Sequence, residues 1–257
     1  MQQDTQVSAC ASVALWIQAQ SLGSRIGATC PSTADITQAA YAADPGTGRA
    51  IPSSGLSPHQ MVAVVESLGF DALVLENDGR PYRLYREVCA YVESDLPVIL
   101  ALAQIQNSGP HWLSNIGHAV TACGHTYGAP VGFLSKHSHQ ESSIPQTSSR
   151  MEALIVHDDR HGPYGHATPM SFDQLRRQRP KLPHELPPEL VNPICLEYDE
   201  ASRVWSLTSA IVALPRRFVS MTREHAISVA TRAFEHAYFN SKGKKLGLGG
   251  FESRLFL

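Results

Sequence analysis

Residues 6–16 read QVSACASVALW, a stretch that is polar as far as Ser8 and mainly apolar after Cys10. The residues after Cys10 are mostly good helix formers, so the stretch predicts a loop that enters a buried helix, which we expect to end near Gly23. Cys10 then lies on the first turn, where unpaired backbone N–H groups and the positive end of the helix dipole favour a thiolate. A free cysteine in an apolar helix is more often a core residue, so this stretch alone leaves both interpretations open.

Two later segments supply a base and an acid. Residues 117–124 predict a strand that starts at His118, and residues 153–156 predict the next strand, which ends at Asp158 and Asp159. A neutral histidine beside a cysteine can take its proton, and an acid behind the histidine fixes its tautomer and orientation. Neighbouring strand residues point to opposite sides, so the sequence leaves open which aspartate faces His118.

Gln6 lies four residues before Cys10 and can donate from its side-chain amide to an oxyanion. The candidate site is therefore Cys10 as nucleophile, His118 as base, Asp158 as orienting acid and Gln6 as donor.

The whole chain predicts an α+β fold. Helices are predicted before residue 95, and strands dominate after residue 96, with 162–165 expected to turn the chain away and 135–150 expected to form an exposed loop. Residues 194–198 and 203–214 predict two antiparallel strands, and 222–238 predict a long helix. We expect a single domain over residues 1–240, with a helical lobe at about 1–95 facing an antiparallel sheet lobe at about 96–215 across a cleft, followed by a flexible tail at 241–257.

Composition excludes several classes of protein. A formal net charge of −2 over 257 residues argues against a nucleic-acid partner recruited by bulk charge. No run of about 18 uninterrupted apolar residues and no basic-then-apolar start occurs, so we expect no membrane span, no secretory signal and a cytoplasmic protein. The five cysteines are odd in number, widely spaced and without a CxxC pair, which indicates reduced thiols.

The ordered segments resemble the papain-like cysteine peptidases, and most of all the bacteriocin-processing peptidases that cut after a double glycine. The resemblance rests on residues 6–10 with the following helix, the helix start at 55–57, the strand at 96–99, the strand at 117–124 and the strand ending in Asp158. It covers roughly residues 6–175. It implies a papain-like two-lobed fold and gives Cys10, His118, Asp158 and Gln6 the roles of nucleophile, general base and acid, orienting acid and oxyanion donor.

The resemblance also implies a polypeptide substrate, with cleavage after Gly-Gly, and no cofactor. The tail contains Gly249-Gly250, which suggests that this chain or a paralogue is itself cut there; a plain flexible tail is the alternative. Two other functions stay open: acyl transfer to an amine by the same residues, and a catalytically inactive module that binds a partner through the loop at 135–150.

Histidines are dense in the second half of the chain, which raises the question of a metal. None belongs to an HExxH motif and no cysteine accompanies them at zinc-finger spacing, so we expect no metal site. Trp112 precedes His118 and fits either the cleft or ordinary core packing. The histidines that raise this question are His111, His118, His125, His137, His139, His157, His161 and His166.

Overall fold

The structure is a computed structural model that describes residues 9–26, 30–43, 55–106, 111–128, 131–134, 150–197 and 203–215. Gln6, the loop at 135–149, the predicted helix at 222–238 and the tail at 241–257 lie outside the described residues.

Helices dominate the first part of the described chain, and strands dominate the second. The helices are α1 (Cys10–Ile26), α2 (Thr33–Ala43), α3 (Pro58–Ser67), α4 (Arg83–Glu93) and α5 (Phe172–Gln178). The strands are β1 (Phe70–Glu76), β2 (Val98–Ile105), β3 (Leu113–Tyr127), β4 (Met151–Asp158), β5 (Gly162–Pro169), β6 (Pro193–Leu196) and β7 (Trp205–Pro215). A 3₁₀ turn at Pro188–Leu190 precedes β6.

Local sequence explains several helix starts. Ser57 caps α3 and exchanges hydrogen bonds with Gln60, and Pro58 occupies the first turn, where its missing N–H costs nothing. Ser171 and Gln174 form the same capping box at α5. In α4 the buried side chains, among them Leu84, recur at helical spacing, so one face of the helix packs into the core.

All strand pairs described here are antiparallel. The order across the sheet is β1-β7-β2-β3-β4-β5-β6, and β6 pairs with β7 as well. Strands β2 to β7 therefore form a ring, and β1 extends it along β7. The predicted α+β class with an antiparallel sheet is confirmed.

One sequence prediction for the second half of the sheet is wrong. Residues 162–165 do not turn the chain away; they begin β5, which pairs with β4 and β6. Positive φ angles of 94° at Gly162 and 66° at Tyr164 explain why this strand has the composition of a turn. Helix α5 was not predicted at all.

The two antiparallel strands predicted at 194–198 and 203–214 are β6 and β7, and they pair with each other over a short stretch. Strand β7 pairs with β6 only at Ser206 and Trp205, and along most of its length it lies between β1 and β2. Strand β1 pairs with β7, so residues 1–95 contribute a strand to the sheet as well as helices.

Two buried polar side chains fasten α1 to the sheet. Gln18 donates from Nε2 to the carbonyl oxygens of Pro97 and Ile211, at 2.9 and 3.0 Å. Thr121 on β3 donates from Oγ1 to the carbonyl oxygen of Ala14 at 2.9 Å. Helices and sheet share one hydrophobic core, which includes Leu15 of α1 and Val120 of β3.

Within the described part of the chain, the helices are too short or too polar to cross a membrane.

Candidate active site

Cys10 is the first residue of α1. The carbonyl oxygen of Ala9 accepts the first helical hydrogen bond from Val13 at 2.9 Å, so the helix begins immediately before the thiol. The first turn contains no acidic residue, and the positive end of the helix dipole therefore acts on Cys10 without an opposing carboxylate. Cys10 is 8% exposed, which places the sulfur in a largely desolvated environment.

His118 and Asp158 form a direct, buried pair. His118 Nε2 lies 2.6 Å from Asp158 Oδ2, and the two side chains are 1% and 0% exposed. A hydrogen bond of this length between an imidazole and a carboxylate fixes the plane of the ring.

Strand register explains why Asp158 meets His118. Thr121 of β3 lies opposite His157 of β4, so continuation of the same register places position 160 opposite His118. Asp158 is two residues from position 160 and therefore points to the same side of the sheet as His118.

The second ring nitrogen of His118, Nδ1, is not used by Asp158 and remains available to the Cys10 thiol. His118 Nδ1 is buried and makes no hydrogen bond of standard geometry to any described residue. The Cys10 thiol nevertheless lies close enough to act on the imidazole electrostatically. Burial alone would lower the pKa of His118, but the hydrogen bond that its ring donates to Asp158 and the neighbouring Cys10 raise it to about 9. The site thus favours the imidazolium, which is the partner that a thiolate needs.

A turn after β4 completes the support of Asp158. The backbone N–H of Arg160 donates to Asp158 Oδ1 at 2.7 Å, so each carboxylate oxygen has a partner. Hydrogen bonds to both oxygens restrict rotation of the carboxylate, which in turn restricts the imidazole.

Asp159, the alternative candidate for the orienting acid, also reaches this cluster. One oxygen of Asp159, one of Asp158 and one ring nitrogen of His118 lie within 4.8 Å of one another. Both Asp159 carboxylate oxygens are buried and lack a hydrogen bond of standard geometry in the described part of the chain. Burial raises the pKa of Asp159, and the nearby Asp158 adds to this effect, while His118 and Arg160 oppose it.

These three side chains are close enough together to raise the question of a cation. A zinc ion bound tetrahedrally at about 2.0–2.1 Å from each ligand would hold its ligand atoms farther apart than hydrogen-bond distance. The 2.6 Å between His118 Nε2 and Asp158 Oδ2 is therefore the geometry of a hydrogen bond, not of a shared metal.

Trp205 is the aromatic side chain that contacts the site. It is 1% exposed, and its ring centroid lies 5.6 Å from that of His118. Trp112, which the sequence singled out, packs instead in a separate small core with Ile105 and Met170. The sequence signal for Trp205 was only its position in an apolar strand, which does not identify its neighbours.

The structure brings together Cys10, His118 and Asp158, three of the four residues selected from the sequence. Gln6 lies outside the described residues. Gln18, Thr121 and Trp205 were missed, and Asp159 was named only as the alternative to Asp158.

The remaining described histidines do not join the site. His125 stacks edge-on against Tyr127 and His157 against Tyr164, and His166 pairs with Glu197 at 2.6 Å on the surface. His137 and His139 lie outside the described residues.

Neither the protein-family models nor the curated proteins compared with this chain give a match.

Proposed function

We propose that this protein is a papain-like cysteine hydrolase that cleaves a peptide or amide bond through an acyl-enzyme on Cys10. The observation that carries the proposal is a thiol at a helix N-terminus beside a buried imidazole, His118, whose far nitrogen is held at 2.6 Å by Asp158. The papain-like arrangement is part of the proposal, and it is supported by the packing of α1 and its nucleophile against the sheet that carries the other two residues.

The first half of the reaction uses the thiolate and the imidazolium together. The Cys10 sulfur attacks the substrate carbonyl carbon, and the carbonyl oxygen takes the negative charge. As the C–N bond breaks, His118 gives its proton to the leaving amine, which departs neutral and leaves a thioester on Cys10.

The second half reverses the role of His118. The now neutral imidazole takes a proton from water, the resulting hydroxide attacks the thioester carbon, and the C–S bond breaks to return the thiolate. Asp158 holds the imidazole in one tautomer through both steps and balances the charge of the imidazolium. In this proposal Gln6 donates to the oxyanion, a role that rests on its sequence position alone.

The proposed substrate is a polypeptide, with cleavage after Gly-Gly taken from the sequence resemblance. The proposed chemistry uses only side chains of this chain and needs no cofactor.

Alkylation of the cysteines by iodoacetamide as a function of pH, followed by peptide mapping, tests the proposal. Cys10 is buried, whereas Cys123 and Cys195 are only partly so, and accessibility alone therefore predicts that Cys10 reacts more slowly than either. A proposed nucleophile instead reacts faster at about pH 6, because the neighbouring His118 takes the proton of its thiol.

The matched variants are His118→Ala and His125→Ala. Both histidines lie on β3, and both have a buried Nδ1 without a described hydrogen-bond partner. We expect His118→Ala to abolish the fast reaction and His125→Ala to preserve it. Slow alkylation of Cys10 in the wild type, with iodoacetamide as the smallest practical probe, would contradict the proposal and favour an inactive binding module.

Hydrolysis is tested separately with a peptide library made by digesting a bacterial proteome. Mass spectrometry should find new peptide ends with the wild type that are absent with Cys10→Ala. Products joined to added amines, without free carboxyl ends, would identify acyl transfer instead of hydrolysis.

A further inference from the structure

Asp159 is the buried group in the site that the proposed reaction does not use. Its two carboxylate oxygens are withdrawn from solvent and have no hydrogen bond of standard geometry among the described residues. A buried polar group without a partner is costly, and such a group in a native fold calls for an explanation.

The charges of the neighbouring groups indicate which protonation state of Asp159 fits the site. The thiolate of Cys10 and the imidazolium of His118 cancel, and Asp158 adds one negative charge. An ionised Asp159 would add a second negative charge within 4.8 Å of Asp158, in a region with little water. Two neighbouring buried carboxylates do not both ionise readily, because each raises the pKa of the other.

The other charged groups near Asp159 do not offset the repulsion between the two carboxylates. His118 on β3 already pairs directly with Asp158, and the Arg160 backbone N–H serves the second oxygen of Asp158. The Arg160 side chain lowers the pKa of Asp159, but burial and Asp158 outweigh it, so the pKa of Asp159 is raised overall.

We infer that Asp159 is a positioning residue that acts through Asp158: as a neutral carboxylic acid it shares its proton with Asp158 and limits how tightly Asp158 holds the His118 imidazolium. One oxygen of Asp159 already lies within 4.8 Å of an oxygen of Asp158. A carboxylate that accepts a further hydrogen bond is a weaker partner for the imidazolium, so Asp159 lowers the pKa of His118. It thereby sets the upper pH limit of the ion pair. This role rests on the proposed function, in which His118 must release its proton during each cycle.

NMR titration of the His118 ring in the full chain tests the inference, with Asp159→Asn and Asp159→Ala compared to the wild type. The amide of Asp159→Asn still donates to Asp158, so the pKa of His118 should stay near the wild-type value. Asp159→Ala removes the donor, and the pKa should rise by roughly half to one unit. Asp71→Asn, an exposed carboxylate on β1, is the control and should change nothing.

Each other pattern overturns the inference. A lower His118 pKa in both variants would mean that Asp159 is ionised in the wild type. An unchanged value in both would mean a structural role alone, and an equal rise in both would mean that no donated hydrogen bond is involved. If Asp159→Ala does not fold, Asp159→Gln replaces it, since its longer side chain keeps the amide but displaces the donor. A rise with Asp159→Gln supports the inference, and any other result contradicts it.

This titration observes His118 without any turnover. If Cys10 proves inert to iodoacetamide while the titration gives the expected pattern, the proposed function fails and the coupling between Asp159 and His118 stands. If Cys10 is activated and the titration gives another pattern, the proposed function stands and the coupling between Asp159 and His118 fails.

Discussion

His118 Nε2 lies 2.6 Å from Asp158 Oδ2, and the pair is closed to solvent. The carboxylate does two things in this position: it orients the ring and it raises the pKa of His118 against the effect of burial. Asp158→Asn removes the charge but keeps the size of the side chain. We expect the pKa of His118 to fall and the rate of Cys10 alkylation at about pH 6 to drop about 10- to 100-fold.

The same two measurements on Asp71→Asn serve as the control, because Asp71 is exposed on β1. Wild-type alkylation kinetics in Asp158→Asn would show that the pair is structural and plays no part in activating the thiol.

The His118 pKa also makes stability depend on pH. Its folded value of about 9 lies above the ordinary value of 6.5, so the folded state binds this proton more tightly than the unfolded state. The stabilisation is complete below about pH 6.5 and is lost as the pH rises through about 9. We expect the free energy of unfolding of the wild type, relative to His118→Gln, to decrease across this window.

Urea unfolding at several pH values measures that difference. His59→Gln is the control, since His59 is an exposed residue of α3. A difference that stays constant from about pH 6 to 9 is the result that excludes a raised His118 pKa.

Gln18 links the helix that carries Cys10 to two strands. Its buried Nε2 donates to the carbonyl oxygens of Pro97 and Ile211, so Gln18→Met keeps the length of the side chain and loses both hydrogen bonds. The expected loss is about 1–3 kcal/mol of unfolding free energy, because two acceptors are left with one partner fewer in the core. Gln38→Met on the exposed face of α2 should cost much less.

The alkylation rate of Cys10 shows whether this link also positions its thiol. If Gln18→Met is less stable yet alkylates at Cys10 as the wild type does at a temperature where both are folded, the link serves stability alone.

Sequence pattern predicted the elements that carry the site. The apolar run after Cys10 and the strands at His118 and Asp158 are local signals, and α1, β3 and β4 contain those residues. The choice between Asp158 and Asp159 was not local, because it depends on the register of β4 against β3, which period-two alternation does not supply.

The elements that were missed depend on tertiary pairing. The glycines and proline of 162–165 indicate a turn, and only pairing with β4 and β6 makes these residues part of a strand. Gln18 lies on the buried side of an apolar helix, and its role follows from carbonyl groups that are 79 and 193 residues away in the chain. No local sequence pattern predicts hydrogen bonds between residues so far apart in the chain.

Thr121 supplies the second link between α1 and the sheet. Thr121→Val keeps the shape of the side chain and removes the hydrogen bond to the carbonyl oxygen of Ala14, which lies on the helix one turn beyond Cys10. We expect a loss of about 0.5–1.5 kcal/mol in urea unfolding. Thr37→Val is the control, because the Thr37 hydroxyl donates to the carbonyl oxygen of Thr33 within α2, in an exposed hydrogen bond. Equal losses of unfolding free energy in the two variants would show that the hydrogen bond to Ala14 stabilises the fold no more than an exposed one does.

Asp159 makes stability fall with rising pH, as His118 does, but its contribution begins to be lost at a lower pH. Its folded pKa lies above the ordinary value of 3.8, so its contribution to stability is complete below about pH 3.8 and is lost as the pH rises through the folded value. Above that value the buried carboxyl is a constant cost, which Asp159→Asn removes. We therefore expect Asp159→Asn to melt higher than the wild type at about pH 7 and the gap to narrow as the pH falls towards about 4. Differential scanning calorimetry at a series of pH values measures the gap, and Asp71→Asn corrects for the loss of an exposed carboxylate. If Asp159→Asn melts lower at neutral pH, or if the gap does not change with pH, the carboxyl of Asp159 is ionised and satisfied in the folded protein.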